Sequence, residues 1–108
     1  MATRFIIGFG YEIERDMLRN TLTTSDVAAI IDALAREARV PAYSLRFGPG
    51  SWRDQSGGYV TERGATVEVV DCVEATPRMR RFAADIRDAL RQQCVVYYEQ
   101  PVQNFEFI

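Results

Sequence analysis

The chain has no histidine and no lysine among its 108 residues. The first absence removes the commonest general base near neutral pH and the commonest nitrogen ligand for metals. The second leaves arginine to carry all 13 basic charges. A GC-rich genome accounts for that bias, because arginine codons are GC-rich and lysine codons are not; guanidinium forks also suit carboxylate and phosphate recognition better than ammonium does. Cysteine is scarce too. Cys72 and Cys94 are isolated in apolar neighbourhoods, with no partner at metal-ligand spacing, which predicts buried free thiols and a reducing, cytoplasmic setting. No apolar run is long enough to cross a membrane, and the one at the start is too short for a signal peptide. The formal charge of −2 gives no whole-molecule field toward nucleic acid or an anionic membrane, so any partner is recognised locally.

What is present suffices for one core. A chain of 108 residues with 47% apolar content reads as a single domain spanning residues 1–108. Thr3 to Tyr11 alternates, with Phe5, Ile7, Phe9 and Tyr11 on one side, and predicts a strand. Glu12 to Leu22 has poor periodicity and reads as a long, partly docked loop. Thr24 is placed to cap a helix running to about Ala38, with Asp26 in its first turn and Val27, Ile30, Ile31, Leu34 and Ala38 as its buried stripe. Pro41 bars continuation, and Tyr43, Leu45 and Phe47 form a second strand.

The segment from Gly48 to Glu62 holds the single tryptophan, Trp52, and four of the seven glycines. It reads as a long connection, followed by a third strand from Tyr59 to Val73. Thr76-Pro77 is a strong helix start, and Met79, Phe82, Ala83, Ile86 and Leu90 mark a second buried stripe. Gln92 and Gln93 end that helix, Cys94 to Glu99 makes a fourth strand, and the alternating tail either extends it or adds a piece at the edge. The order predicts an α+β ferredoxin-like βαββαβ plait: an antiparallel four-stranded sheet, strands one and three central, with both helices on one face. Its open face would carry Arg4, Ile6, Ser44, Arg46, Thr66, Glu68 and Val70, with Tyr97 or Tyr98 beside them.

Gly50-Ser-Trp52-Arg-Asp-Gln-Ser-Gly57 followed by Glu62 and a valine-rich strand resembles small uncharacterised bacterial and phage protein families. Gln93 before the last strand, Phe9-Gly10 and Thr24-Ser25-Asp26 are similar as well. The resemblance implies the ferredoxin-like topology and assigns no catalytic residue.

Four chemistries follow from the residues. Trp52, Arg53, Tyr59 and Glu62, with Asp54 between them, would give an aromatic wall and an arginine fork for an anionic or nucleotide-like ligand; as pure structure, Trp52 covers the end of the core and Glu62 pairs with an arginine. Catalysis without histidine would need Glu62, Glu68, Asp71 or another carboxylate with a raised pKa, or a cysteine with a lowered one. Glu12, Glu14 and Asp16 are the only close carboxylates and read as a solvated face, so neither a metal nor a cofactor is expected. Arg63-Gly64-Ala65 partly echoes an RNA-recognition motif, but Thr66, Val67, Glu68 and Val69 stand where its stacking aromatics belong, and nucleic acid is not expected.

That favours a non-enzymatic binding protein of bacterial, phage or mobile-element origin that docks directly onto a host protein, for instance as an inhibitor of a defence system, or that self-associates. Arg78, Arg80, Arg81, Arg87 and Arg91 on the second helix are its candidate contacts. The alternative is a protein that sequesters a small anionic or nucleotide-like ligand; a small dimeric ferredoxin-like enzyme is a third reading.

Overall fold

A computed structural model describes residues 2–12, 22–53, 55–106 and 108, the side chain of Trp52 excepted. The expectations for the loop after Glu12, for Glu14, Asp16 and Asp54, and for the Trp52 side chain fall outside the described residues. Strand β1 (Ala2–Gly10) pairs antiparallel with β3 (Tyr59–Cys72) on one side and β4 (Val96–Val102) on the other, and β2 (Tyr43–Arg53) pairs antiparallel with β3. The sheet order β2-β3-β1-β4 has the first and third strands at its centre. With helices α1 (Thr24–Glu37) and α2 (Thr76–Ala89) crossing between parallel next-nearest strands, this is the α+β ferredoxin-like plait.

Alternation in β1 builds the core. Phe5 and Ile7 are fully buried, and Phe9 and Tyr11 nearly so, against Val27, Ile31 and Ala35 of α1 and Met79, Phe82 and Ile86 of α2. Both helices therefore cover one face of the sheet. On the other face, the position expected to lie open, Ile6, is in fact buried. It sits in register between Glu68 and Tyr98, whose long side chains close over it on the central strand. Tyr98 shares the open face with Ile6, whereas Tyr97 packs toward the core.

Helix α1 starts one residue earlier than Thr24 would cap it. Thr23 is the cap: its hydroxyl accepts from the Asp26 N–H at 3.1 Å, and the Asp26 carboxylate accepts from the Thr23 N–H at 2.9 Å. Asp26 thus stands three residues after the cap, as a capping box requires, and the Thr23 N–H holds its carboxyl below the usual range. At α2 the expected threonine cap is absent. A 3-10 turn (Val73–Ala75) leads straight into the helix, and the Thr76 hydroxyl donates to the Val73 carbonyl instead.

Each helix stops on an arginine in the left-handed region, where glycine is usual. Arg39 has φ 56° and Arg91 φ 53°, with Val40 N–H reaching back to Ala35 O and Gln92 N–H to Arg87 O, both at 2.9 Å. The end of α1 is also clamped from α2. Arg78 Nη1 donates to the carbonyls of Ala38 and Arg39 at 2.7 and 2.9 Å, placing its charge at the negative end of the helix, and Nη2 donates to Asp71 at 3.0 Å.

Two features depart from the sequence reading. Strand β2 does not end at Phe47 but continues to Arg53, paired with β3 through Arg53↔Tyr59, so most of the glycine segment is strand and the described turn residues are 55–58. Pro49 is tolerated because β2 is an edge strand, and Pro101 lies within the other edge strand, β4. The tail past Val102 turns at Asn104 (φ 56°) and forms no strand among its described residues. Cys72 and Cys94, expected buried, are both exposed. Cys72 ends β3 where the sheet runs out, and Cys94 lies in the connection before β4.

Replacing Arg39 with glycine is expected to raise stability by up to about 1 kcal/mol by removing left-handed strain at the α1 stop, measured by denaturant unfolding. Asp71→Asn is expected to lower stability at pH 7 by about 1 kcal/mol. Burial pushes the Asp71 carboxyl up, but the Cys72 N–H and the Arg78 guanidinium more than offset this and hold it below the usual range. A depressed folded-state pKa stabilises above the unfolded value, near 3.9, and is lost as pH falls through the folded value, so the two proteins are expected to converge once the pH falls below the folded value. A gap that persists at low pH would assign the effect to packing.

Candidate functional site

Beyond Gly10 the central strand ends, yet β2 and β3 run on together: among the described residues, Gly50↔Glu62, Ser51↔Thr61, Trp52↔Val60 and Arg53↔Tyr59 pair in the sheet only with each other. This two-stranded arm extends the sheet by about 15 Å, at some 3.4 Å per residue. A hydroxyl pair, Ser51 to Thr61 at 2.7 Å, links its strands. At the arm's root, on the face shared with the core, the helices no longer reach, and an open cleft of ≈ 400 Å³ remains.

The cleft is lined by Tyr11, Glu12, Phe47, Gly48, Pro49, Thr61, Glu62 and Arg63. Its rigid part is a corner of two aromatic rings, Tyr11 and Phe47, edge to face with centroids 6.0 Å apart. The Arg63 guanidinium lies over the Tyr11 ring at 4.9 Å, and its Nε donates to Glu12 at 3.1 Å. Tyr11 N–H closes the corner by donating to the Arg63 carbonyl at 3.2 Å. Tyr11 is buried, whereas Phe47 is 40% exposed and turns part of its ring to solvent. The volume falls within the range of small-molecule sites, roughly 300–1,000 Å³. Of the two carboxylates among the lining residues, Glu12 pairs with the Arg63 guanidinium, whereas the Glu62 carboxylate lies beside Gly10 on the helix-free face.

Of the three expected ligand residues whose side chains are described, only one lines this cleft. Glu62 does; Arg53 and Tyr59 are paired with one another at the far end of the arm, where Tyr59 is 76% exposed. Their positions lie an odd number of residues from Trp52 and Glu62 respectively, so strand alternation does not put all four on one face. Tyr11, Phe47 and Arg63 were legible as strand residues but not as a site. The same alternation that sends Phe5 and Ile7 into the core sends Tyr11 and Phe47 past its edge.

The arginines of α2 do not form a free basic surface. Arg78 holds the end of α1, Arg80 lies over the Tyr97 ring at 5.3 Å, Arg81 faces Asp85 at 3.9 Å, Arg87 bonds Asp88 at 2.9 Å, and Arg91 is engaged as well. A smaller hollow of ≈ 190 Å³ lies between Arg80 and Arg87 of α2 and the Gln93–Tyr97 stretch. There the Tyr97 hydroxyl donates to Glu99 at 2.5 Å; burial first, then that bond, raises the phenol far above its ordinary value.

Two carboxylates considered as bases are held ionised instead. Arg4 donates to both oxygens of Glu68, at 2.7 and 3.0 Å, which depresses Glu68 despite its partial burial, and Asp71 is depressed as described above. Neither has the raised pKa that proton transfer near neutral pH requires. Among the described residues, no three cysteine or carboxylate groups converge as a metal site, and no helix is long and apolar enough to cross a membrane.

No protein-family model matches the chain, and neither does any curated protein sequence. Solved structures do. A phage SAM lyase in complex with S-methyl-5′-thioadenosine superposes with a TM-score of 0.69 at 19% identity, over 97% of this chain and 93% of that one. The divalent cation tolerance protein CutA1 of Thermus thermophilus gives 0.65 at 15% identity, over 98% and 88%. The PII-like protein CutA of Nostoc sp. PCC 7120 gives 0.64 at 12% identity, over 96% and 83%. The chain is thus similar over almost its whole length to the ferredoxin-like fold that CutA, PII-like proteins and a phage SAM lyase share.

Proposed function

We propose that this chain is a small-ligand-binding protein whose cleft at the root of the arm takes an uncharged, planar, nucleoside-like molecule. The observation that carries this is the preformed corner of Tyr11 and Phe47, backed by an Arg63 already fixed by Glu12. Aromatic walls stack on a heterocycle, and a polar rim of Thr61 and Glu62 is suited to ribose hydroxyls. A nucleoside bound to a phage protein of the same fold supports the ligand class. Charge narrows it further. The one guanidinium among the lining residues is already paired with Glu12, so the corner favours a nucleoside over the anion that the arginine-rich sequence suggests.

Direct docking onto a host protein, as an inhibitor of a defence system, is supported by the resemblance to phage and bacterial families. It would use the helix-free face of the sheet, since the arginines of α2 already have partners within the fold.

Calorimetric titration with S-methyl-5′-thioadenosine, adenosine and ATP tests the reading, with Trp52 fluorescence as an independent reporter because it is the sole tryptophan. Saturable binding of the two uncharged nucleosides is expected, weaker for ATP. Phe47→Ala is expected to weaken nucleoside binding tenfold or more while costing stability only about 1 kcal/mol, as the ring is partly exposed and its edge-to-face pair is worth roughly that. Phe5→Ala, in the core, is expected to cost about 3–5 kcal/mol. Absence of binding across the panel, or preference for ATP, would rule the reading out.

A further inference from the structure

The hollow of ≈ 190 Å³ between α2 and the connection into β4 is lined by two guanidinium groups and, among the described residues, by no carboxylate. Arg80 and Arg87 stand seven residues apart, almost two full turns. Both therefore leave α2 on one face, about 10.5 Å apart along its axis. Between them lie Ala83 and Ala84, whose single methyl groups leave open the space between the two long side chains. The Gln93–Val95 stretch forms the opposite wall.

Both arginines are held in place with donors to spare. The Arg80 guanidinium rests over the Tyr97 ring, and none of its N–H groups makes a hydrogen bond among the described residues. Arg87 uses only its Nε, toward Asp88, and its two terminal amino groups have no partner among those residues. The exposed Gln93 amide has none there either. A guanidinium stacked on a ring keeps its fork of N–H donors, and that fork fits oxyanions. Two carboxylates moderate the local field: Glu99 near Arg80 and Asp88 on Arg87. Glu99 accepts the Tyr97 hydroxyl, Asp88 accepts the Arg87 Nε, and neither lines the hollow.

We infer that this hollow binds one small tetrahedral oxyanion of the phosphate class, free or as the end of a phosphomonoester, with Arg80 and Arg87 donating from its two ends and the Gln93 amide from its wall. Its volume lies below the roughly 300–1,000 Å³ of sites that enclose a whole small molecule, which limits the occupant to a single group. Donors arriving from three directions suit a tetrahedral anion better than a planar carboxylate. The hollow shares no lining residue with the cleft at the root of the arm, so the inference stands independently of the nucleoside reading.

Titration of the ¹⁵N-labelled chain with inorganic phosphate, and separately with methyl phosphate, at constant ionic strength tests it through the amide resonances. Saturable shifts are expected at the Gln93 and Val95 backbone amides and at the Gln93 side chain. Arg87→Gln is expected to keep the native far-UV circular dichroism and to weaken binding about tenfold, the loss of one charge-assisted contact. Arg81→Gln removes the same charge from the same helix, but Arg81 faces Asp85 and lies outside the hollow, so it is expected to change binding less than about twofold. If Arg87→Gln does not fold, Arg80→Gln replaces it with the same expectation. Saturation by either probe at these amides supports the inference, and saturation by methyl phosphate alone assigns the site to an ester. The absence of saturable shifts at the hollow with both probes overturns it, as does an Arg81→Gln variant that loses as much affinity as Arg87→Gln.

Discussion

Strand β1 is hydrogen-bonded on both sides, sends Phe5, Ile7 and Phe9 into the only helix-covered layer, and stops at Gly10 while its neighbours continue. That mismatch in strand length organises the molecule. Up to Gly10 the sheet has four strands and a helical cover, and burial of apolar side chains stabilises it. Beyond Gly10 the same alternation persists without the cover. Tyr11 and Phe47 then become the walls of an open cleft, and β2 and β3 continue as a two-stranded arm.

Arginine is absorbed mostly into holding this frame. Arg78 joins the end of α1, the start of α2 and the end of β3; Arg4 ties the two central strands through Glu68; Arg63 locks the corner of the cleft through Glu12. Arg78 and Arg4 each use several donors of one planar group, which a lysine could not reproduce. The carboxylates they engage most closely, Glu68 and Asp71, are held ionised. The fold is therefore expected to weaken in acid, and these residues serve as anchors rather than proton carriers.

The order of elements was legible because its signals are local. Alternation marks β1, proline bars helix before β2, and apolar residues at helical spacing mark α1 and α2. Errors fell where local signals are silent or misleading. Both helices end on arginine rather than glycine, so their stops lack the usual glycine mark. The glycines and Pro49 suggested a loop, yet an edge strand needs only one ladder of hydrogen bonds and accommodates them. Cys72 and Cys94 have apolar sequence neighbours but sit at sheet and loop ends, and Ile6 is buried by residues from β3 and β4 that are far away in the chain.

Composition and periodicity were enough for the α+β class and its βαββαβ order, since both depend on residues close in sequence. The cleft required the fold. Tyr11 comes from just past β1, Phe47 from β2 and Arg63 from β3, and they meet only because β1 ends where β2 and β3 do not, a relation between strand lengths and registers that only pairing in space can establish.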